Sequence, residues 1–290
     1  MLASHPGSFL CYVPKNPSIF GSLLGSRAAV EQAVNERLDR YAEASTRRTQ
    51  AAQSSVSAAA QTQAQKFVFP GGGVTVQPGI QPITEQLVRV IPYVHNSKDA
   101  IVVFFGTLSN LQDLRAQRRN VRGAAAAAVP ADAGAGALTT SCLLDLYKRF
   151  GNGRELLMLS ELQGQYAFVL YDSSRKQAFA ARDPSGSEPL YFKVDEEGGV
   201  QYTNSLEQLP GGEADRRGWR ELPPGHYMLG KSVSQFALSL RQLEKREKKE
   251  SLDADALHMM LQQEEVQQEG DGGFNAVRSL LRNRSSGAGA

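Results

Sequence analysis

The sequence predicts an α+β domain assembled from antiparallel strand pairs. Three observations predict it. Short apolar runs bounded by turn residues recur along the chain, at Phe67–Phe69, Val74–Val76, Leu87–Val94 and Ala100–Phe105, which is the pattern of strands. Two later pairs of runs are joined by tight turns: Tyr166–Asp172 to Gln177–Arg182 through 173–176, and Tyr191–Val194 to Val200–Thr203 around EEGG, whose glycines suit positive φ. Helical patterns stand between groups of strands and do not alternate with single strands. That order favours α+β over a doubly wound parallel sheet.

Taken in order, Val30, Val34 and Leu38 recur every four residues within 27–44, a helical spacing. Residues 45–65 are small and polar with little to bury, and 120–137 contain GAAAAAVPADAGAGA. Both read as low-complexity insertions. Thr139–Phe150, TTSCLLDLYKRF, reads as a helix with Leu143, Leu144, Leu146 and Tyr147 on one face and Gly151 at its C-terminal cap. The glycines of 71–73 are followed by no Lys-Ser/Thr, so they are no phosphate loop. The reading places one domain over 1–243 and a charged, largely unstructured tail over 244–290. The apolar spacing of ALHMML and FNAVRSLL in that tail suits a transient amphipathic helix.

Composition excludes several classes. Lys and Arg total 32 against 30 Asp and Glu, so no general attraction to nucleic acid arises. No apolar run approaches the ~20 residues that span a bilayer, and the N-terminus lacks the pattern of a secretory signal. The acids at 31, 36, 39 and 43 argue against a transit peptide. The cytoplasm is the expected compartment, with nucleus and plastid as alternatives. The cysteines are two, Cys11 and Cys142, too few for a disulfide scaffold. None of the histidines at 5, 95, 226 and 258 stands at metal-ligand spacing to another, so neither metal nor cofactor is expected. His95 reads as a surface loop residue, His226 as half-exposed, and Tyr191 and Tyr202 as packed between sheets.

The series FFGTLSNLQDLR (104–115), CLLDLYKRFG (142–151), LQGQYAFVLYD (162–172), AARDPSGSEPLYF (180–192), YTNSLEQL (202–209) and ELPPGHYML (221–229) resembles the class II glutamine amidotransferase domain, as at the front of asparagine synthetase. It resembles more closely still the plant aluminium-induced or stem-specific proteins, which consist of this domain alone and also begin Met-Leu. The resemblance implies an N-terminal-nucleophile hydrolase fold, an αββα sandwich of two antiparallel sheets between helices. On it Asn110, Arg115, Gly164, Arg182, Asp183, Gly186 and Pro189 are motif positions. Arg182-Asp183 is read as a structural ion pair or turn, not a catalytic pair.

The same resemblance implies a chemistry that requires an N-terminal cysteine, whose thiolate attacks the glutamine amide while its own α-amine serves as base. The sequence as given starts Met1-Leu2, and Leu2 offers no nucleophile. In the family an Asn-Gly-Glu segment supplies oxyanion donors, each worth on the order of 10²–10³ in rate. Aligned on Gly106, Asn110 and Arg115, the Asn position is Phe105 and the Glu position Thr107. The family's substrate-binding Asp aligns with Thr139, and 69–83 contain no Arg to match the family's carboxylate-binding one. The expectation is therefore a domain without catalytic residues, whose relict pocket is lined by Phe105, Gly106 and Thr139 and takes a small ligand or a protein partner, in a stress response as the plant names imply. Two alternatives stand beside it. One is an active amidohydrolase matured to expose Cys11. The other is a purely structural module that pairs through its sheet edges or tail, with a homodimer as one form.

Overall fold

In a computed structural model, the chain is described over residues 7–15, 26–52, 63–69, 71–83, 86–90, 93–96, 100–122, 135–150, 153–211 and 216–238. Fourteen strands are described: β1 (Ser8–Val13), β2 (Gln65–Phe69), β3 (Gly72–Gln77), β4 (Gly79–Ile83), β5 (Gln86–Val90), β6 (Tyr93–Asn96), β7 (Ala100–Leu108), β8 (Gly164–Asp172), β9 (Gln177–Arg182), β10 (Tyr191–Val194), β11 (Val200–Thr203), β12 (Arg220–Glu221), β13 (His226–Leu229) and β14 (Ser232–Gln235). The helices are α1 (Ser26–Ala52), α2 (Leu111–Arg122), α3 (Ala135–Phe150) and α4 (Glu155–Ser160). Strands β12-β10-β11-β1-β3-β2 form one six-stranded sheet, β14-β13-β9-β8-β7-β6 a second, and β4-β5 a separate hairpin. Their pairings within the two large sheets are antiparallel.

Side-chain alternation explains the layers. In β7 and β8, Ile101, Val103, Phe105, Ala167, Val169 and Tyr171 point into a core shared with Phe9, Cys11, Val74, Val76 and Tyr202 of the first sheet. The intervening Val102, Phe104, Tyr166, Phe168 and Leu170 meet Leu114 of α2, Leu143 and Tyr147 of α3 and Met158 of α4. Strands covered on both faces read as continuous apolar runs, which is why AIVVFFGTL carries no polar alternation. On the outer face of the first sheet, Leu10 and Tyr12 of β1 pack with Val34, Leu38 and Tyr41 of α1. The result is the helix–sheet–sheet–helix order that the resemblance implies.

The glycine run at 71–73 has a packing role. A Cβ on Gly73 would stand 2.5 Å from Leu38 Cδ1 and 3.1 Å from Val34 Cγ1, so the missing side chain is what lets α1 settle on β3.

The structure corrects four expectations. The helix anticipated over 27–44 continues to Ala52, taking in the first part of the presumed insertion. Ser45 there is buried, and its hydroxyl donates to Gln77 Oε1 at 3.4 Å; a small polar residue fits where the helix meets the sheet. The second presumed insertion is helical at both ends, α2 reaching Arg122 and α3 starting at Ala135. His95 lies in β6, not in a loop. Tyr202 packs between the sheets, but Tyr191 pairs with Thr203, which in turn pairs with Leu10; register partners share a face, so Tyr191 lies on the outer side. The tail expected from 244 and the Gly151 cap lie outside the described residues.

Candidate functional site

The positions singled out by sequence converge on the end of β7 and the turn after β9, but not into one pocket. Gly106 sits in β7 opposite Tyr166 with φ of 104°. A Cβ there would stand 2.2 Å from the Gln165 carbonyl oxygen, so only glycine fits both the dihedral and the close approach of β8. Phe105 turns the other way. Its ring lies 5.5 Å from that of Phe9 across the two sheets, and it is only 7% exposed. Thr139 is buried on α3, a helix that packs on the opposite, Val102–Phe104 face of the same sheet. The relict pocket inferred from sequence is thus split by the sheet: alternate strand residues face opposite sides, and Phe105 fills the inter-sheet core instead of lining a recess with Thr139.

The other motif residues hold backbone. Asn110 Nδ2 donates to the Glu161 carbonyl at 2.7 Å, and the Gln163 N–H donates to Asn110 Oδ1 at 3.2 Å. This ties the β7–α2 turn to the loop that enters β8 at Gly164. Among the described residues Arg115 reaches only Gln112 Oε1, at 3.3 Å on the surface.

Asp183 is completely buried. It accepts from the N–H groups of Tyr166 (3.1 Å), Ser185 (2.7 Å) and Gly186 (3.2 Å), and from the Ser185 hydroxyl. Arg182 does not pair with it. Arg182 Nη1 donates to Glu221 Oε1 at 2.5 Å and to the Leu222 carbonyl at 2.9 Å, and Nη2 donates to the Gly186 carbonyl at 2.6 Å. The expected Arg–Asp ion pair is therefore two separate clamps. Asp183 fixes the turn to β8, and Arg182 fixes the same turn to the segment at β12. Pro189 is half-buried and leads into the buried Leu190, whose carbonyl accepts from the Leu222 N–H at 2.8 Å. Burial, then the nearby Asp183 charge, raises the Glu188 carboxyl above its usual value, against a lowering by Arg182.

Cys11 lies mid-strand in β1, paired with Val74 on one side and Tyr202 on the other. It is fully buried, and burial pushes its thiol up to about 12. A thiol so shifted is protonated at neutral pH and is a poor nucleophile. Cys142 is buried on α3. Native protein at pH 8 is accordingly expected to react with a thiol reagent only as fast as it opens, and denatured protein at once. Rapid labelling of Cys11 in the native state is the contrary result.

Sequence reasoning missed Asn204. Its Oδ1 accepts from the Phe9 N–H at 3.0 Å, and its Nδ2 donates to the Gly7 carbonyl at 2.8 Å, so it anchors the entry of β1. The only signal was an Asn directly after a strand, in YTNS, where such residues bond nearby backbone. Glu221 was missed for the same reason, as an acid in a short edge strand with no spacing to mark it.

Among the described residues, no three His, Cys, Asp or Glu side chains converge where they would hold a metal ion, and no helix is long and apolar enough to cross a membrane.

Comparison with known proteins agrees with the motif series. Residues 88–215 match a family model described as a glutamine amidotransferase domain. The chain is 30% identical over 90 residues to a probable glutamine-hydrolysing asparagine synthetase of Dictyostelium discoideum, a match covering 31% of this chain and 15% of that protein. It is 26% identical over 141 residues to the glutamine-hydrolysing asparagine synthetase 2 of Oryza sativa subsp. japonica, covering 49% and 21%. The solved glutamine phosphoribosylpyrophosphate amidotransferase from B. subtilis superposes with a TM-score of 0.44 at 15% identity, over 80% of this chain and 50% of that one. The matches thus span only a minor part of the curated relatives. The chain carries a class II glutamine amidotransferase-like domain.

Proposed function

We propose that this domain is a non-catalytic, amidotransferase-like binding module of the cytoplasm, acting in a stress response as the names of the similar plant families suggest, and not a glutaminase. One observation carries the reading. At the position aligned with the family's oxyanion asparagine stands Phe105, whose ring is spent in the core against Phe9. A phenyl group donates no hydrogen bond to a developing oxyanion, and loss of one such donor costs on the order of 10²–10³ in rate. The buried, mid-strand position of Cys11 supports the same conclusion against a nucleophile there. Because Phe105 and Thr139 face opposite sides of the second sheet, the binding role falls to another surface. The test is ammonia release from glutamine by the purified full chain. No release above the buffer rate is expected, with or without Cys11→Ala. Release that Cys11→Ala abolishes overturns the reading and reinstates an active amidohydrolase.

A further inference from the structure

The outer face of the first sheet carries a recess that neither the motif series nor the amidotransferase resemblance assigns. Helix α1 covers β1 and β3, leaving the β11–β10 side of the sheet partly open. Antiparallel pairing sets Tyr12, Gln201 and Lys193 in one row across β1, β11 and β10, on the face opposite Cys11, Tyr202 and Phe192. Arg37 and Arg40 of α1 form one side of the opening, and Leu209, Pro210 and Trp219 the other. Together with Leu10, Lys193 and Gln201 they enclose a hollow of about 180 Å³.

Its charges are not balanced. Arg37 is committed: its guanidinium lies 3.1 Å from Asp195 Oδ2 and 4.3 Å above the Tyr12 ring, and the Tyr12 hydroxyl donates to the same Asp195 oxygen at 3.2 Å. Among the described residues Arg40 donates only its Nε–H, to the Glu36 carbonyl at 3.3 Å, which leaves both terminal nitrogens of its fork without a partner there. The Lys193 ammonium makes no hydrogen bond and no ion pair among the described residues. Its stem is held beside Gly218, where an added Cβ would stand 3.4 Å from Lys193 Cε. Two cations with no counter-charge among the described residues, one amide and one indole therefore border a single small cavity. In a chain with 32 basic and 30 acidic residues, that local surplus is not a consequence of overall composition.

We propose that this recess binds a small dianion bearing oxygen acceptors, either a phosphate monoester or a short dicarboxylate. The planar Arg40 fork meets two oxygens of such a group, Lys193 supplies a point charge opposite it, and Gln201 offers an amide donor. A cavity well below the ~300 Å³ of drug-sized sites limits the ligand to a charged head with a short body. Trp219, which packs against the Leu10, Tyr12 and Leu209 cluster, lines the same recess. The site shares no residue with Phe105, Cys11 or Asp183, so it stands whether or not the domain hydrolyses glutamine.

Trp219 is the chain's single tryptophan, so its emission reports this recess directly. Full-length protein is titrated with inorganic phosphate and, separately, with succinate, ionic strength being held constant with sodium chloride. A saturable change in Trp219 emission is expected, accompanied by a rise in melting temperature. Lys193→Met and Arg40→Gln are each expected to weaken binding tenfold or more while leaving the anion-free melting temperature unchanged. Response to phosphate alone assigns a phosphate ester, response to succinate alone a dicarboxylate, and response to both the shared chemistry. An emission change equalled by chloride, or binding unaltered in both variants, overturns the proposal.

Discussion

A chain shortened so that Cys11 becomes its first residue is expected to lose its cooperative thermal transition. Strand β1 is interior to its sheet, between β11 and β3, and the deletion removes its first half. Ser8, Phe9 and Leu10 pair with Gln77, Val76 and Thr75, and Leu10 also with Thr203. Phe9 and Leu10 are 0% and 2% exposed, and burying each large apolar side chain is worth roughly 1.5–3 kcal/mol. Their cavities add to the loss. The deletion also removes the Phe9 carbonyl and the Ser8 hydroxyl, which accept from the Thr203 hydroxyl at 2.6 Å and the Tyr41 hydroxyl at 2.9 Å. Set against a net stability of about 5–15 kcal/mol for a domain, these losses are of the same size as the whole. Circular dichroism on heating checks the expectation. A truncated chain that melts cooperatively near the full-length temperature, with a reactive thiol at its new terminus, would restore Cys11 as a nucleophile.

Asp183→Ala is expected to destabilise the domain by about 3 kcal/mol, because hydrogen bonds to a buried charged acceptor are worth roughly 1.5–3 kcal/mol each and a donor left unpaired costs a similar amount. The change leaves the N–H groups of Tyr166 and Ser185 without the acceptor that now organises them and the Gly186 N–H with only the Asp183 backbone carbonyl, at 3.2 Å, and a buried donor without a partner costs about 1–3 kcal/mol. Asp183→Asn keeps one carboxyl-like oxygen, so its cost is smaller. Urea unfolding of the three proteins measures the order. Were Asp183→Ala to unfold at the wild-type midpoint, the clamp described for this turn would be wrong, and the Arg-Asp motif would need a role other than structure.

The motif series was legible because each piece combines a fixed backbone need with a fixed residue. Gly106 must be glycine where β8 approaches, Asp183 must accept several N–H groups at one turn, and Asn110 must bridge two loops. Periodicity alone located Gln177–Arg182, Tyr191–Val194 and Val200–Thr203, since apolar runs cut by turn residues leave few alternatives. It failed at α1 beyond residue 44 and at the start of α3. There the residues are small or polar, and helical structure owes more to what they pack against than to their own preference. Ser45 belongs to the helix because Gln77 is there to meet it.

The sequence by itself therefore determined the class of domain and the strand pairs over 166–182 and 191–203, because those depend on local residue identity and spacing. Only the tertiary structure decided which way each of those residues points. Strand alternation sends Phe105 into the core between the sheets, while the helix that carries Thr139 packs on the other face of the second sheet, so the two do not share the pocket that alignment had assembled. The fold likewise brings Arg40 of α1, Lys193 of β10 and Trp219, just before β12, to one recess, although they lie far apart along the chain and share no spacing.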